Sequence, residues 1–169
     1  NHDTKFGRDV VIHPNVVFGQ NVIIDSLVQI KSFSHLEECK IKSGSSIGPF
    51  ARIRGDSILG NNSKVGNFVE IKKSNLSENV KINHLSYVGD SEIGSSTNIG
   101  AGTITCNYDG KSKNKTKIGK NSFVGSNSTI IAPIKIGENV TMGAGSTFNK
   151  DIPNNTLAIG RAYQINKKK

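Results

Sequence analysis

The sequence repeats an aliphatic residue every six positions, and this period constrains the fold more than any other feature. Many of these aliphatic residues are followed directly by glycine. A small residue often lies four positions after the aliphatic residue. In-phase runs include Val10, Val16, Val22 and Val28, then Ile41, Ile47, Ile53, Leu59, Val65 and Ile71, and finally Ile118, Val124, Ile130, Ile136, Met142 and Phe148. A period of six fits neither an amphipathic helix nor a simple alternating strand.

The period fits a chain that runs straight for a few residues, turns, and runs straight again. Three such sides make a coil of about eighteen residues, the hexapeptide β-helix pattern. The aliphatic side chains point inward, and successive coils pair as parallel strands. We therefore predict an all-β parallel β-helix over residues 1–150, followed by an arm over 151–169. The spacing does not set the hand of the coil, and parallel crossovers are right-handed in about 98% of cases.

The composition agrees with a core of stacked aliphatic side chains. Of the 169 residues, 34% are hydrophobic but only 6% are aromatic, and there is no Trp. A chain of this length is long enough to form one domain with its own hydrophobic core. The chain begins at Asn1 and enters the repeat almost at once, so we expect it to be a piece of a longer protein.

The repeat is interrupted in three places. It slips by one residue between Val28 and Ile41, and it slips twice between Ile71 and Ile93, around His84. Between Thr105 and Ile118 it gives way to a polar, basic segment, which predicts an excursion loop over 106–117. Interruptions of a regular solenoid are places where function tends to lie.

The charge and cysteine content limit the classes of function. The formal net charge is +9, which suits nucleic acid, a membrane surface or an anionic small molecule. The charge is spread out, apart from Lys111–Lys117 and the terminal Lys167–Lys169. It lacks an arginine-rich groove pattern with interleaved aromatic residues, so we favour a phosphorylated ligand over nucleic acid. Cys39 and Cys106 form no disulfide framework, which is typical of the cytoplasm. No apolar run approaches the ~20 residues of a membrane span.

The histidines do not predict a metal site. His2, His13 and His35 lie far from His84 in the sequence, and no closely spaced pair is present. His84 differs from the others because polar residues surround it in a slipped coil. It is either a solvated polar residue or a general base or acid that works near neutral pH.

Several basic residues are candidates for an anion site. Arg54 and Lys72 are eighteen residues apart, so they stack on one side of the solenoid, and we expect no acid between them. Lys113 in the loop is a further candidate for a phosphate contact. The alternative for all three is an ordinary solvated surface, and for the loop a mobile basic excursion.

Long motifs in the middle of the chain resemble those of a known family. They are Asn67–Ser74, Asn83–Asp90 and Asn98–Gly110, extended by Phe123–Ser126 and Ala132–Pro133. The motifs are similar to the acetyltransferase half of bacterial bifunctional glucosamine-1-phosphate acetyltransferases / N-acetylglucosamine-1-phosphate uridylyltransferases. The glycine-rich phosphate loop that begins the uridylyltransferase half is not found here. Gly55 follows Arg54 where many members have proline, and the tail ends soon after Arg161.

The resemblance implies a left-handed β-helix that forms a homotrimer with shared sites. It implies transfer of acetyl from acetyl-CoA to the amine of glucosamine 1-phosphate. The product would serve UDP-N-acetylglucosamine, peptidoglycan and lipopolysaccharide synthesis through the missing uridylyltransferase half. The acetyl transfer would need no metal, and magnesium would be needed only by that missing half.

The resemblance also implies a role for individual residues. His84 falls at the catalytic base. The sugar-phosphate positions are Arg54, Lys72, Tyr87 and Asn98, with Lys113 as a further phosphate contact. The acetyl-CoA positions are Ala101, Asn107, Tyr108, Ser126, Ala144 and Arg161. Since Cys106 is the only nearby candidate for an acyl-enzyme nucleophile, we expect direct transfer.

Three other interpretations remain open from the sequence. One is a hexapeptide-repeat acyltransferase with a different amino-sugar acceptor. Another is a solenoid without catalytic activity, which would show an unbroken regular face. The third is a basic nucleic-acid binder, whose binding would weaken steeply with salt.

Overall fold

The chain is a solenoid of short strands. The computed structural model describes residues 3–168, and within that range it contains strands, turns and bends but no helix. Residues 1, 2 and 169, and with them His2, lie outside the described part. The strands form three parallel sheets of eight, nine and eight strands. The predicted fold class is confirmed: the protein is a left-handed parallel β-helix, with the hand that the family resemblance implied.

Each of the first eight coils contributes one strand to each sheet in turn, and β25 adds a ninth strand to the second sheet. The first sheet contains β1 (Lys5–Phe6), β4 (Val22–Ile24), β7 (Cys39–Ile41), β10 (Ser57–Leu59), β13 (Asn75–Leu76), β16 (Ser91–Ile93), β19 (Thr116–Ile118) and β22 (Ile134–Ile136). The second contains β2 (Val11–Ile12), β5 (Gln29–Ile30), β8 (Ser46–Ile47), β11 (Lys64–Asn67), β14 (Lys81–His84), β17 (Asn98–Ile99), β20 (Phe123–Val124), β23 (Thr141–Met142) and β25 (Leu157–Ala158). The third contains β3 (Val17–Phe18), β6 (His35–Leu36), β9 (Arg52–Arg54), β12 (Glu70–Lys72), β15 (Tyr87–Gly89), β18 (Ile104–Cys106), β21 (Thr129–Ile131) and β24 (Thr147–Phe148).

The pairing register shows where coils shorten or lengthen. Lys5 pairs with Ile23, which is a coil of the full predicted length, whereas Ile23 pairs with Lys40, which makes the next coil one residue shorter. This is the predicted slip between Val28 and Ile41. Glu92 pairs with Lys117 across a much longer stretch of chain, because the excursion loop is inserted in that coil.

Both coils around His84 are one residue short, as predicted. Lys64 pairs with Lys81, and Lys81 pairs in turn with Asn98, so the same shortened step occurs twice in succession. Since side chains alternate between the two faces of a strand, the corner between strands must absorb the missing residue so that the aliphatic column stays inside.

The interior is lined by aliphatic side chains from all three sheets. The largest fully buried ones are Ile24, Ile30, Leu36, Ile41, Ile47, Ile53, Leu59, Ile71, Leu76, Ile82, Ile93 and Ile130. Burial of one such side chain stabilises the fold by about 1.5–3 kcal/mol. Buried Ser and Thr lie beside this column and satisfy corner backbone groups: Ser74 Oγ donates to the carbonyl of Lys72 at 2.9 Å and accepts from Ser91 N at 3.0 Å.

The corners require left-handed backbone conformations. Asn occupies many of these positions, such as Asn62, with a φ of 56°, and Asn tolerates that region better than most residues. The corner between the second and third sheets, which we call the His84 corner, differs because it places Phe33, Phe50 and Phe68 in this region. Their exposed rings stack, with centroid distances of 5.0 and 5.2 Å. The corner therefore carries an exposed aromatic ladder.

Two segments depart from the regular coil. The loop folds back on itself through an antiparallel bridge between Tyr108 and Lys113. Near the end of the chain, Leu157–Ala158 pairs with Thr141–Met142, so sheet pairing continues beyond residue 150. The division into a β-helix over 1–150 and an arm over 151–169 remains a prediction. Residues 3–168 contain no helix of the length and apolarity needed to cross a membrane.

Candidate functional site

The outer face of the third sheet carries the predicted cations. Arg54 on β9 and Lys72 on β12 are register partners on adjacent strands. This is the stacking that their spacing of eighteen residues predicts. Their position at the end of each strand places them beside the corner from which the excursion loop departs further along the solenoid.

The expectation that no acid lies between these cations is wrong. Glu70 Oε1 accepts a hydrogen bond from Arg54 Nε at 2.6 Å, and it lies 3.9 Å from Arg52 Nη1. Asp90 Oδ2 lies 3.9 Å from Lys72 Nζ. The sequence reasoning did not apply the coil spacing to these acids, although Glu70 and Asp90 each lie eighteen residues after a cation of the site, Arg52 and Lys72. Each cation is therefore already oriented by a carboxylate before any ligand binds.

The loop adds a third cation to this face. The nearby Lys113 ammonium lowers the pKa of Lys72, burial of Lys72 adds to the effect, and Asp90 opposes it. The Lys72 side chain is only 13% exposed, whereas Lys113 is exposed. Two neighbouring ammonium groups repel each other, and a bound anion would relieve that repulsion. The arrangement suits a phosphate group.

Tyr87, Asn107 and Asp90 link the loop to the sheet. Asn107 is buried, and its Nδ2 donates to the Tyr87 hydroxyl at 3.4 Å and to the Asp90 carboxylate. A Cβ at residue 89 would overlap the Tyr87 hydroxyl, so Gly89 provides the space in which the tyrosine lies. The carboxylate that approaches Lys72 therefore also holds the base of the loop.

The loop has its own internal order. Asp109 Oδ1 accepts from the backbone N–H groups of Lys111 and Ser112 at 2.8 and 2.7 Å, and its Oδ2 accepts from Asn114 Nδ2 at 2.9 Å. The bonds from Ser112 and Lys111 hold the pKa of Asp109 below its ordinary value. Tyr108 donates to the carbonyl of Gly110 at 2.7 Å and is exposed. This order lets the loop present Lys113 from a defined turn.

His84 lies at the end of β14, at the His84 corner, and is exposed. Its Nδ1 lies 2.7 Å from Oδ1 of Asn67, its register partner one coil earlier. Tyr87 begins β15 just after this corner. The imidazole therefore lies near the first residues of the third-sheet strands, whereas Arg54 and Lys72 lie at their last residues. An exposed imidazole held by a neutral amide can serve as a general acid or base.

Three predicted acetyl-CoA positions follow His84 along the same corner in later coils. Asn127 N donates to the carbonyl of Ala101 at 2.7 Å, and Gly145 N donates to the carbonyl of Ser126 at 2.8 Å. A Cβ at residue 125 would overlap the backbone nitrogen of Ala144. Ala101, Ser126 and Ala144 therefore occupy equivalent places in three successive coils, and they form a column of small residues beside which an extended ligand can lie.

Two predicted site residues lie apart from these groups. Asn98 is on β17 of the second sheet, where it pairs with Lys81 and Phe123, and so it is not on the sheet that carries the cations. Arg161 is exposed beyond the last strand; its Cδ would lie 3.8 Å from a Cβ at residue 145. A single chain therefore brings together Arg54, Lys72, Tyr87, Asn107 and Lys113, and separately His84 with the small-residue column. Asn98 lies on the strand that pairs with the strand of His84.

The two cysteines differ in their surroundings. Burial, with a contribution from Glu37, raises the pKa of the Cys39 thiol to about 12, so it is unreactive near neutral pH. Cys106 is partly exposed on β18 of the third sheet. Residues 3–168 hold no group of three or more His, Cys, Asp or Glu side chains arranged to bind a metal ion.

Reasoning from the sequence did not assign roles to three residues of the site. Asn67 holds His84, Glu70 holds Arg54, and Asp90 lies against Lys72 and Asn107. The coil spacing was a usable signal for all three. Asn67 precedes His84 by one shortened coil, and Glu70 and Asp90 follow Arg52 and Lys72 by one full coil.

The sequence is similar to several known proteins. The family model described as bacterial transferase hexapeptide (six repeats) matches residues 38–73 and 115–150. The chain is 52% identical over 165 residues to the bifunctional protein GlmU of Jannaschia sp. (strain CCS1), which covers 98% of this chain and 36% of that protein. It is 52% identical to GlmU of Wolbachia pipientis wMel over 98% of this chain and 39% of that protein. The chain thus spans well under half the length of these relatives.

Solved structures show the same fold at low identity. LpxA of Bacteroides fragilis, a UDP-N-acetylglucosamine acyltransferase, superposes with a TM-score of 0.59 and 21% identity over 91% of this chain and 66% of that one. LpxA of Acinetobacter baumannii gives a TM-score of 0.61 and 18% identity over the same shares. This likeness supports the β-helical fold and nothing further.

Proposed function

This chain is a hexapeptide-repeat homologue of part of the bifunctional GlmU proteins, and from that relationship we propose that it transfers acetyl from acetyl-CoA to glucosamine 1-phosphate. The acceptor is the sugar amine, and the product is N-acetylglucosamine 1-phosphate. The observation that carries the proposal is the pairing of an exposed imidazole, His84, with a cation group at the far end of the third sheet, Arg54, Lys72 and Lys113. An acceptor that carries both a phosphate and an amine needs cations to bind the phosphate and a base to deprotonate the amine.

In the proposed mechanism the cations bind the sugar phosphate. Arg54 and Lys72 approach it from adjacent strands, and Lys113 closes over it from the loop. Tyr87 and Asn98 contact the sugar ring. Because the phosphate is anchored, the amine is held in one orientation, and a bimolecular encounter becomes an oriented one.

His84 then acts as the general base. The neutral imidazole takes a proton from the amine, whose nitrogen attacks the thioester carbonyl of acetyl-CoA. The tetrahedral intermediate collapses, the C–S bond breaks, and the CoA thiolate leaves and takes up a proton. Backbone N–H groups near Ala101 would stabilise the oxyanion. A positioned base typically contributes ~10²–10⁴-fold to the rate.

Acetyl-CoA would lie along the His84 corner. The small side chains of Ala101, Ser126 and Ala144 let the pantetheine approach the backbone of three successive coils. Asn107 and Tyr108 contact it from the base of the loop, and Arg161 contacts its far end. Because no acyl-enzyme is needed, the acetyl group passes directly from CoA to the sugar.

The active form proposed here is a homotrimer with shared sites. Asn98 lies on the second sheet and Lys72 on the third, and in the proposed trimer the two side chains reach one substrate from different chains. The exposed ladder of Phe33, Phe50 and Phe68 offers apolar surface for such packing. A threefold arrangement closes this heterologous contact on itself.

The wider setting also belongs to the proposal. The chain would correspond to the C-terminal part of a bifunctional protein, whose other part is a magnesium-dependent uridylyltransferase. The joint product, UDP-N-acetylglucosamine, serves peptidoglycan and lipopolysaccharide synthesis. A cytoplasmic location is supported by the free thiols Cys39 and Cys106. We propose no membrane or nucleic-acid partner.

The direct test is release of CoA thiol in the presence of acetyl-CoA and an acceptor. We expect rapid release with glucosamine 1-phosphate and slow release with glucosamine, which lacks the phosphate. Equal rates with the two acceptors would contradict the phosphate site. Faster transfer to another amino sugar would assign the chain to a different hexapeptide-repeat acyltransferase.

A further inference from the structure

The second sheet has an unusual extension beside His84. Strands β11 (Lys64–Asn67) and β14 (Lys81–His84) have four residues each, whereas every other strand has two or three. Their pairing extends to a contact between Asn67 and His84, past the point where the chain normally turns. A Cβ at residue 66 would overlap the carbonyl oxygen of Asn83. Gly66 therefore permits a close approach that brings these two side chains together.

The contact is a defined hydrogen bond. His84 Nδ1 and Asn67 Oδ1 are 2.7 Å apart. The backbone reinforces it, because Leu85 N donates to the carbonyl of Asn67 at 3.0 Å. Asn67 is half-buried and His84 is exposed, so the amide is the fixed partner and the imidazole is the group being held.

The chemistry of the pair determines where the imidazole proton lies. An amide oxygen can only accept a hydrogen bond, so Nδ1 must carry the proton. A neutral imidazole has one N–H, and Nε2 is then left with its lone pair. The amide does not titrate, so it holds the same nitrogen protonated in both charge states of the ring.

We propose that Asn67 is a positioning residue that holds the Nδ1–H of His84 and leaves Nε2 free to take the proton from the acceptor amine. This inference rests on the proposed function, in which His84 is the base. Asn67 touches neither substrate. It acts by fixing the tautomer and the ring orientation of the residue that does.

The test combines kinetics with the tautomer itself. Asn67→Leu removes the acceptor, and we expect kcat to fall by roughly 10-fold or more while both KM values change less than about threefold. Proton–nitrogen correlation spectra should show Nδ1 of His84 protonated in the unsubstituted protein and a mixture of tautomers in Asn67→Leu. The His84 signals are assigned by their loss in His84→Gln. Asn67→Asp, which keeps an acceptor, should restore Nδ1 protonation and most of kcat.

The matched control is Asn75→Leu, the same change on an exposed strand residue of the first sheet. It should leave both kcat and the His84 spectrum unchanged. An Asn67→Leu protein with an unaltered tautomer or an unaltered kcat would overturn the proposal. If the unsubstituted protein transfers no acetyl to glucosamine 1-phosphate, the proposed function fails, and the spectra still decide whether Asn67 sets the tautomer.

Discussion

Glu70 Oε1 accepts a hydrogen bond from Arg54 Nε at 2.6 Å, across two adjacent coils of the third sheet. Both side chains are 30% exposed, so the pair lies at the edge of solvent. The guanidinium that is proposed to bind phosphate is therefore oriented by a carboxylate before the substrate arrives.

That pair leads to a prediction about Glu70. Glu70→Ala should raise KM for glucosamine 1-phosphate roughly fivefold, because loss of a partly exposed, well-aligned pair costs about 1 kcal/mol. Glu70→Gln keeps an acceptor for Arg54 Nε and should stay within about threefold of the unsubstituted KM. Initial rates at varied acceptor concentration measure both. An unchanged KM in Glu70→Ala would show that Arg54 does not need this partner.

The second prediction concerns His84. His84→Ala should lower the acetyl-transfer rate by about 10²-fold or more, equivalent to about 2.7 kcal/mol of transition-state stabilisation. Acetyl-CoA binding, measured by calorimetry, should stay close to normal, because the imidazole deprotonates the acceptor. The defect should shrink as pH rises and the free amine becomes available. His13→Ala, near the start of the solenoid, is the control and should keep full activity. A His84→Ala protein with normal turnover at pH 7 would remove His84 from the mechanism.

The third prediction follows from the effect of Lys113 on the pKa of Lys72. Because the pKa of Lys72 lies below its ordinary value of 10.5 in the folded protein, the unfolded chain binds more protons between the two values. The free energy of unfolding therefore rises with pH through that window. Lys113→Met removes the main cause, so this rise should flatten, and Tm near neutral pH should increase by on the order of 1 °C.

The same substitution should weaken substrate binding. Lys113→Met should raise KM for glucosamine 1-phosphate, and inorganic phosphate should stabilise it less than it stabilises the unsubstituted protein. Differential scanning calorimetry with and without phosphate provides the comparison. Lys111→Met, in the same loop, is the matched control. Equal effects of the two substitutions would show that loop charge in general matters and that Lys113 has no specific role.

The fourth prediction concerns assembly. Sedimentation should show three copies, and Lys72→Ala and Asn98→Ala should each be nearly inactive. Co-expression of these two variants should restore about a quarter of full activity. In a randomly mixed trimer, about a quarter of the shared sites combine an intact Lys72 from one chain with an intact Asn98 from its neighbour. No recovery would place both residues in the same chain's site, and a fully active monomer would exclude shared sites altogether.

The period of six alone determined the solenoid, its three faces and its aliphatic interior, because each coil buries the same kind of side chain. The shortened coils near Val28 and His84 could also be predicted from the sequence, since a missing residue displaces every later aliphatic residue by one. The grouping of Arg54 with Lys72 followed from coil length alone, which places residues one full coil apart on neighbouring strands. The hand of the coil did not follow from spacing, and it came from the family resemblance.

The partners of the site residues were decided only by the tertiary structure. Glu70 lies against Arg54, and Asp90 lies against Lys72 and Asn107. The register places Glu70 opposite Arg52 and Gly89 opposite Lys72, so the direction of each side chain decides which diagonal contact forms. The approach of Lys113 to Lys72 depends on how the inserted loop folds back. The bond between Asn67 and His84 needs two strands that run one step further than the others. Such contacts depend on side-chain direction, corner geometry and loop conformation, which a repeating hydrophobic pattern does not encode.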